Sequence, residues 1–296
     1  MKNPFGIILG LTAALCWGVS DFVARFASRR VGAYRALLFM QLVGFLALSI
    51  FLIFTGRFAR GAAPGWHPWV LAVATGVLNT IGSLALYDSF EVGVLSVVAP
   101  ISSSYPAITV ALAFFSGERI RALKAAGLAV TIIGVMLAAT SFSAGSQNVM
   151  GSQKIRMHLS KGVGWSLVSM VAFGIMFWFL GFHVLPVLGA APSVWVIRLS
   201  TSSMLLLAAA PAHQNVAIPR GSVWWLLAIM GLMDTTAYIA NNASLQTGPV
   251  SIITVVASLY GAVTVLLSSI FLHERLERTQ WLGIILIFAG IILVSL

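Results

Sequence analysis

Ten apolar stretches divide this chain: 5–24, 34–54, 68–90, 94–116, 125–142, 162–185, 193–212, 223–245, 250–272 and 281–296. A bilayer core is crossed by a helix of about 20 apolar residues, and each stretch comes near that length. Composition leaves them no other use. Hydrophobic residues make up 59% of the 296 and charged residues only 8%, where a soluble domain carries about 25% charged residues. Such a chain cannot cover itself with charge, so its outer surface faces lipid. The net charge is +10. The basic residues sit in the gaps between apolar stretches, as in a polytopic membrane protein, and not along one face as in a nucleic-acid binder. The one cysteine, Cys16, excludes an intrachain disulfide and a cysteine-cluster metal site. Lys2 precedes the first apolar stretch and no small-residue cleavage site follows it, so that stretch reads as a retained span.

The chain also repeats itself. Residues 93–137 and 248–293 are two copies of one unit. Gly93, Ser96, Ser103, Tyr105, Ala107 and Thr109 match Gly248, Ser251, Ser258, Tyr260, Ala262 and Thr264. After a one-residue slip, Glu118, Arg119, Gly127 and Gly134 match Glu274, Arg275, Gly283 and Gly290. The repeat extends upstream: Trp69, Gly76, Thr80 and Ala85 align with Trp224, Gly231, Thr235 and Ala240, and Trp17-Gly18 with Phe173-Gly174. Trp66 with Trp69, and Trp224 with Trp225, open the third and eighth stretches, where interfacial indoles are expected. The expected organisation is a first five-helix repeat over 1–143, a polar basic linker over 144–161 and a second five-helix repeat over 162–296. Five is odd, so the second half enters the membrane from the opposite side. The fold class is therefore an all-α membrane protein of ten transmembrane helices in two inverted repeats, the architecture of secondary transporters. Ten basic residues flank one side of the membrane against six on the other. This bias makes the first side cytoplasmic and puts both termini outside.

Ten spans, an inverted repeat and a Glu-Arg turn after the fourth and ninth spans resemble the drug/metabolite transporter superfamily, EamA type. The run Ala14-Leu15-Cys16-Trp17-Gly18-Val19-Ser20-Asp21-Phe22 is similar to that family's opening motif, A-x-x-W-G-x-x-(polar)-F. Two positions depart from it: Asp21 stands where an uncharged polar residue is expected, and Phe173 replaces the tryptophan in the second half. The resemblance covers nearly the whole chain. It implies transport of small metabolites, often export of amino acids or related compounds, without fixing a substrate.

Few residues in the spans can carry chemistry. Asp234 lies about a dozen residues into the eighth stretch, near the bilayer midplane. A charged group there costs several kcal/mol unless it is paired, protonated or turned to the bundle interior, so it is a site candidate by default. It either contacts a substrate amine or carries a proton, or it forms a structural pair with Arg198, the only basic residue well inside a span. Its repeat mate at equal depth is Asn79. Arg198 either turns inward to hold a carboxylate or phosphate, or snorkels to the interface; Gln41 is its approximate repeat equivalent. Asp21 stands near the end of the first stretch, four residues before Arg25 on the same helix face. It is either a local interfacial ion pair or a gating or coupling residue. Asn242 lies eight residues beyond Asp234 on nearly the same face and is read as inward-pointing, as helix–helix glue or a substrate contact. Pro100 and Pro106 flank Ser102-Ser103-Ser104-Tyr105, so the fourth span should kink or unwind there and expose carbonyls beside Ser102. The ninth span has Gly261 beside Tyr260 and no proline. Tyr105 and Tyr260 are candidate cavity walls, and Trp17 and Trp178 candidate aromatic faces for a cation or a ring, against ordinary core packing. The small face Gly6, Gly10, Ala14, Gly18 is explained by close helix packing. The Glu-Arg turns are read as solvated ends that cap helices and pair with headgroups or each other, and the resemblance implies a structural clamp of the turn, not a substrate contact.

No catalytic signature appears. The five histidines lie in or beside loops, and no H-E-x-x-H, phosphate loop or nucleophile elbow is present. The expected partners are a small-molecule substrate, the lipid bilayer and protons as coupling ion, with no nucleic acid, cofactor or metal, in a monomer or homodimer of a bacterial inner membrane. Two other classes stay open: an intramembrane enzyme, favoured if Asp21, Asp88 or Asp234 converge, and a non-transporting scaffold. A central polar cavity touched by both repeats supports transport; a solid apolar core at that depth contradicts it.

Overall fold

The computed structural model describes residues 4–55, 65–116, 122–144, 155–247, 250–274 and 276–295. The Glu118-Arg119 turn, Arg275 and linker residues 145–154 lie outside the described residues. The first half folds as α1 (Pro4–Val31), α2 (Ala33–Phe54), α3 (His67–Val92), α4 (Leu95–Ser103), α5 (Pro106–Phe115) and α6 (Ala122–Ala139). The second half opens with α7 (Val163–Phe179), which runs through a π-helical turn at Leu180–Val184 into α8 (Leu185–Leu188). Then come α9 (Ala190–Ala209), α10 (Val223–Leu245), α11 (Val250–Ser258), α12 (Tyr260–Phe271) and α13 (Arg278–Ser295). Pairs α4–α5, α7–α8 and α11–α12 are each one membrane helix, interrupted.

Among the described residues eight spans are long and apolar enough to cross a membrane, and α6 and α13 contain shorter apolar helices, Ala125–Ala138 and Arg278–Leu293. The chain thus has five membrane helices in each of two inverted repeats. The region expected to be a plain polar loop differs at its ends: β1 (Thr140–Ala144) pairs antiparallel with β2 (Ile155–Leu159), from Thr140 opposite Leu159 to Ala144 opposite Ile155. The two flanks of the linker therefore satisfy each other's backbone groups where the helix has stopped.

Inversion is visible in the packing. Helix α1 lies against α10 and α12, and its counterpart α7 lies against α3, α4 and α5. A β-carbon on Gly18 of α1 would sit 3.1 Å from the Tyr260 carbonyl, and one on Gly174 of α7 would sit 3.0 Å from the Tyr105 carbonyl. The two glycines let both first helices touch the backbone of the broken helix of the other repeat. Thr109 then donates to the Gly174 carbonyl at 3.0 Å and Thr264 to the Gly18 carbonyl at 3.4 Å. Each first helix turns into the second through one glycine of positive φ, Gly32 at 84° and Gly189 at 74°, a conformation a β-carbon resists. The small face of α1 packs as the spacing predicts: Gly6 faces Thr247, Gly10 faces Val256 and Gly18 faces Val263.

The broken helices α4–α5 and α11–α12 each break next to a tyrosine. Pro106 opens α5 and lacks the amide that would bond back to Ser102, so the fourth span is interrupted there, whereas α4 runs on through Pro100, where the sequence also suggested a break. The ninth span breaks without proline. Leu259 bonds to the Val256 carbonyl at 3.3 Å and Ala262 to that of Leu259 at 3.0 Å, a tightened turn of i→i+3 bonds. The breaks bring Tyr105 and Tyr260 to the centre of the protein, both buried. Outside, large apolar side chains such as Phe54, Leu207 and Trp225 are exposed, while Asn79, Arg198, Asn241 and Asn242 are buried. This is the distribution lipid imposes, with polar groups turned into the bundle.

Candidate functional site

Helix α1 sets the site. Trp17, Asp21 and Arg25 recur every four residues, so they share one face. Hydropathy ends the first span at 24 and so places Asp21 at the membrane edge. The helix instead runs to Val31, so Asp21 is about 15 Å, ten residues of helical rise, from its end. It is buried, 5% exposed. Nor does it pair with Arg25 as the spacing suggests. Arg25 reaches away to Glu274 at 2.9 Å and donates to the Gly93 carbonyl at 3.0 Å. The Asp21 Oδ2 is buried with no hydrogen-bond partner among the described residues.

Asp21 opens onto a cavity between the repeats. Its walls are Trp17 and Asp21 of α1, Met40 of α2, and Ser83, Leu86 and Tyr87 of α3. Tyr105 from the first break, Phe173 and Phe177 of α7, Asp234 and Tyr238 of α10 and Tyr260 of α12 complete them. Measured over the positions a water centre can take, it holds about 30 Å³, room for about two ordered waters. Anything the size of a metabolite needs the walls to part. The aromatic rings interlock. Trp17 meets Tyr238, Phe177 and Tyr260 edge-on at 5.1, 5.8 and 5.9 Å between centroids. Tyr105 stacks on Phe177 at 4.8 Å and faces Tyr260 at 6.4 Å. Edge-on and offset rings are the favoured aromatic geometries.

A second polar centre lies behind the wall. Arg198, 1% exposed, forms an ion pair with Asp234 and a hydrogen bond with Gln41. Its guanidinium also lies 5.3 Å from the Tyr238 ring centroid. Tyr238 donates to Asn79 Oδ1 at 2.6 Å, and the Asn79 amide donates to Thr201 at 3.1 Å. Asp234 is thus held by a guanidinium, and Arg198 neither snorkels nor lines the cavity. A buried pair of this kind is weak evidence for stability as such, but stripping one partner costs about 3–5 kcal/mol because a bare charge remains.

Of the residues singled out in the sequence, Asp21, Trp17, Asp234, Tyr105 and Tyr260 meet at the cavity. Asn79, Gln41 and Arg198 form the network behind it. The others lie elsewhere. Asn242 bonds Ser193 of α9 at 3.3 Å, as helix–helix glue. Ser102 donates to the Ser166 carbonyl of α7 at 3.4 Å. Trp178 donates to Ser116 at 2.8 Å, a contact near the helix end and away from the cavity. Sequence reasoning missed Tyr238 and Phe177 as walls. Tyr238 is one turn past Asp234 on the same face, and Phe177 is the repeat mate of Asp21, so both signals were present. Asp88 is half-buried and off the cavity.

Glu274 keeps the capping role expected of the Glu-Arg turns but not the expected solvated place, its side chain being 9% exposed. Its carboxylate accepts from the Leu95 and Ser96 amides at 3.2 and 2.9 Å and from the Ser96 hydroxyl at 2.7 Å, while pairing with Arg25. A negative charge thereby caps the free amides at the start of α4, where the helix dipole also favours it. The α12–α13 loop of the second repeat is latched to α1 and α4 of the first, one helical turn beyond Asp21.

Fold and site together define a multi-pass integral membrane protein with a cavity between inverted repeats, the build of a secondary transporter. The sequence profile of the EamA-like transporter family matches residues 4–140 and again residues 160–296, and the chain belongs to that family. An uncharacterised protein of Methanocaldococcus jannaschii is 32% identical over 136 residues, which are 46% of this chain and 96% of that protein. That relative is matched along nearly its whole length by about one repeat. A crystal structure with a TM-score of 0.66 and 16% identity covers 99% of this chain and 97% of its own, and shows the same fold.

Proposed function

We propose that this protein moves a small polar metabolite or drug across the membrane, as an exporter, by alternating access around the cavity at Asp21 and Asp234. The observation that supports this reading is the cavity itself: both repeats line it, at mid-depth, beside two broken helices. Inverted repeats that rock about such a point expose it first to one side and then to the other. Its small size fits a conformation in which both ends are narrow. Purified protein in liposomes should give saturable counterflow for at least one solute identified by efflux and resistance profiles of overproducing cells. Folded protein in liposomes that moves no solute from such a panel would refute the reading.

Protons are the proposed coupling ion, since both acidic groups on the wall are carboxylates that a proton can neutralise. In Asp234→Asn that is shown by thermal unfolding to remain folded although Arg198 has lost its counter-ion, flux driven by a pH gradient should be lost while downhill counterflow remains. Unchanged coupling in that variant excludes Asp234 from the role. The convergence of Asp21 and Asp234 on one wall is also what an intramembrane acid catalyst would need. Arg198 on Asp234 and the interlocked rings favour binding over proton shuttling between two free acids.

A further inference from the structure

Among the described residues the cavity wall carries two carboxylates and no lysine, arginine or histidine. The two are not equivalent. Asp234 commits Oδ2 to Arg198, whose guanidinium approaches from behind the wall. Asp21 has no counter-ion among the described residues: the nearest base on its own helix, Arg25, is taken by Glu274 and the Gly93 carbonyl, and Asp21 Oδ2 is buried without a partner. An unpaired carboxylate in the membrane interior is costly, and that cost is relieved when a cation arrives. What surrounds it is aromatic. Trp17 is one turn away on the same helix, and Tyr105, Phe177, Tyr238 and Tyr260 close the space. Ring faces attract a cation and bury an apolar body. A substrate carboxylate, by contrast, would meet two acids and no free base, so anions and zwitterions are rejected by charge.

We propose that Asp21 is the recognition carboxylate for an organic monocation, an ammonium group on an aromatic or apolar body, and that Asp234, paired with Arg198, is not the amine contact. This rests on the transport reading of the same cavity and narrows it from small polar metabolites or drugs to amines.

The test is equilibrium binding to the full chain in detergent micelles with three probes of like size: phenethylamine, phenylalanine and hydrocinnamate. Phenethylamine should bind at least about ten-fold more tightly than the other two, and Asp21→Asn should weaken it by about ten-fold or more. Asp21→Asn removes a buried charge, so its unfolding temperature should equal or exceed that of the parent protein, and Asp21→Glu should retain most of the binding. The proposal is overturned if phenethylamine does not bind, if phenylalanine or hydrocinnamate binds as tightly, or if folded Asp21→Asn binds phenethylamine unchanged. Liposome flux separates the two levels. Flux of a zwitterion or anion that survives Asp21→Asn refutes the cation assignment and leaves transport standing. Absence of any solute flux refutes transport itself.

Discussion

Helices α1 and α7 are one helix used twice. Each packs a glycine against the tyrosine carbonyl of the opposite broken helix, which would lie 3.1 and 3.0 Å from a β-carbon at those positions. Helix α1, and α7 continued through its π turn and α8, each lead into a turn through a positive-φ glycine. Their side chains then part company. With Trp17 set on Phe173, Asp21 falls on Phe177 and Arg25 on Gly181. The duplicated helix therefore has duplicated shape and single-copy charge. Shape sets where the cavity is; the charges set what it can hold and which end is latched. The carboxylate with no counter-ion among the described residues, and the arginine that reaches Glu274, both belong to the first repeat alone. At Gly181 there is no side chain to make the equivalent reach, and a β-carbon there would already lie 3.0 Å from Val250.

Four experiments probe how far the equivalence of the two halves goes. The largest effect is expected at the pair behind the wall. Arg198→Met alone leaves Asp234 bare and should destabilise the protein by about 3–5 kcal/mol, whereas Arg198→Met with Asp234→Leu should recover most of that loss. Thermal unfolding of the single and double variants measures it, and equal destabilisation by both would show that the pair is not what matters. Next come the glycines. Gly18→Leu and Gly174→Leu should each cost about 1–3 kcal/mol by overpacking, and by similar amounts if the inversion governs packing. A large cost at one and none at the other would end the equivalence of α1 and α7.

An effect of similar size is expected at the latch. Glu274→Gln removes a charged acceptor, worth about 1.5–3 kcal/mol for such hydrogen bonds. The readout is hydrogen exchange at the Leu95 and Ser96 amides, which should quicken in the variant. Unchanged exchange there would mean that Glu274 does not hold the start of α4. The smallest effect is Ser96→Ala, which removes one of the three hydrogen bonds to Glu274 and should cost about 0.5–1.5 kcal/mol. It should speed the same amides less than Glu274→Gln does.

Much of the architecture is legible without coordinates. The ten apolar stretches, the halves and their inversion follow from hydrophobic runs and from matched residues. The interruption of the fourth span follows from Pro106, not from Pro100, which α4 carries within it. The twin interruption at Leu259 does not, because no proline marks it; only the matching of Tyr260 to Tyr105 points there. Span ends are less legible. Asp21 looks interfacial because Arg25, Arg29 and Arg30 follow it, and charge ordinarily marks the end of a span. Helix α1 carries Arg25 and Arg29 on past that point, where Arg25 finds an anion and both find backbone carbonyls.

The opposed roles of the two mid-membrane acids depend on the tertiary structure. In the sequence Asp234 is the conspicuous one and Asp21 the ordinary i,i+4 partner of Arg25. In the fold, Asp234 is neutralised by Arg198, and Asp21 has no counter-ion among the described residues. By itself the sequence determined that this chain crosses a membrane as two inverted five-helix repeats, because hydrophobic length and internal repetition are properties of the chain read residue by residue. Only the tertiary structure decided which carboxylate is available and which turn is a latch. A carboxylate's chemistry is set by the charges and donors within a few ångströms of it, and those come from helices far apart in the chain.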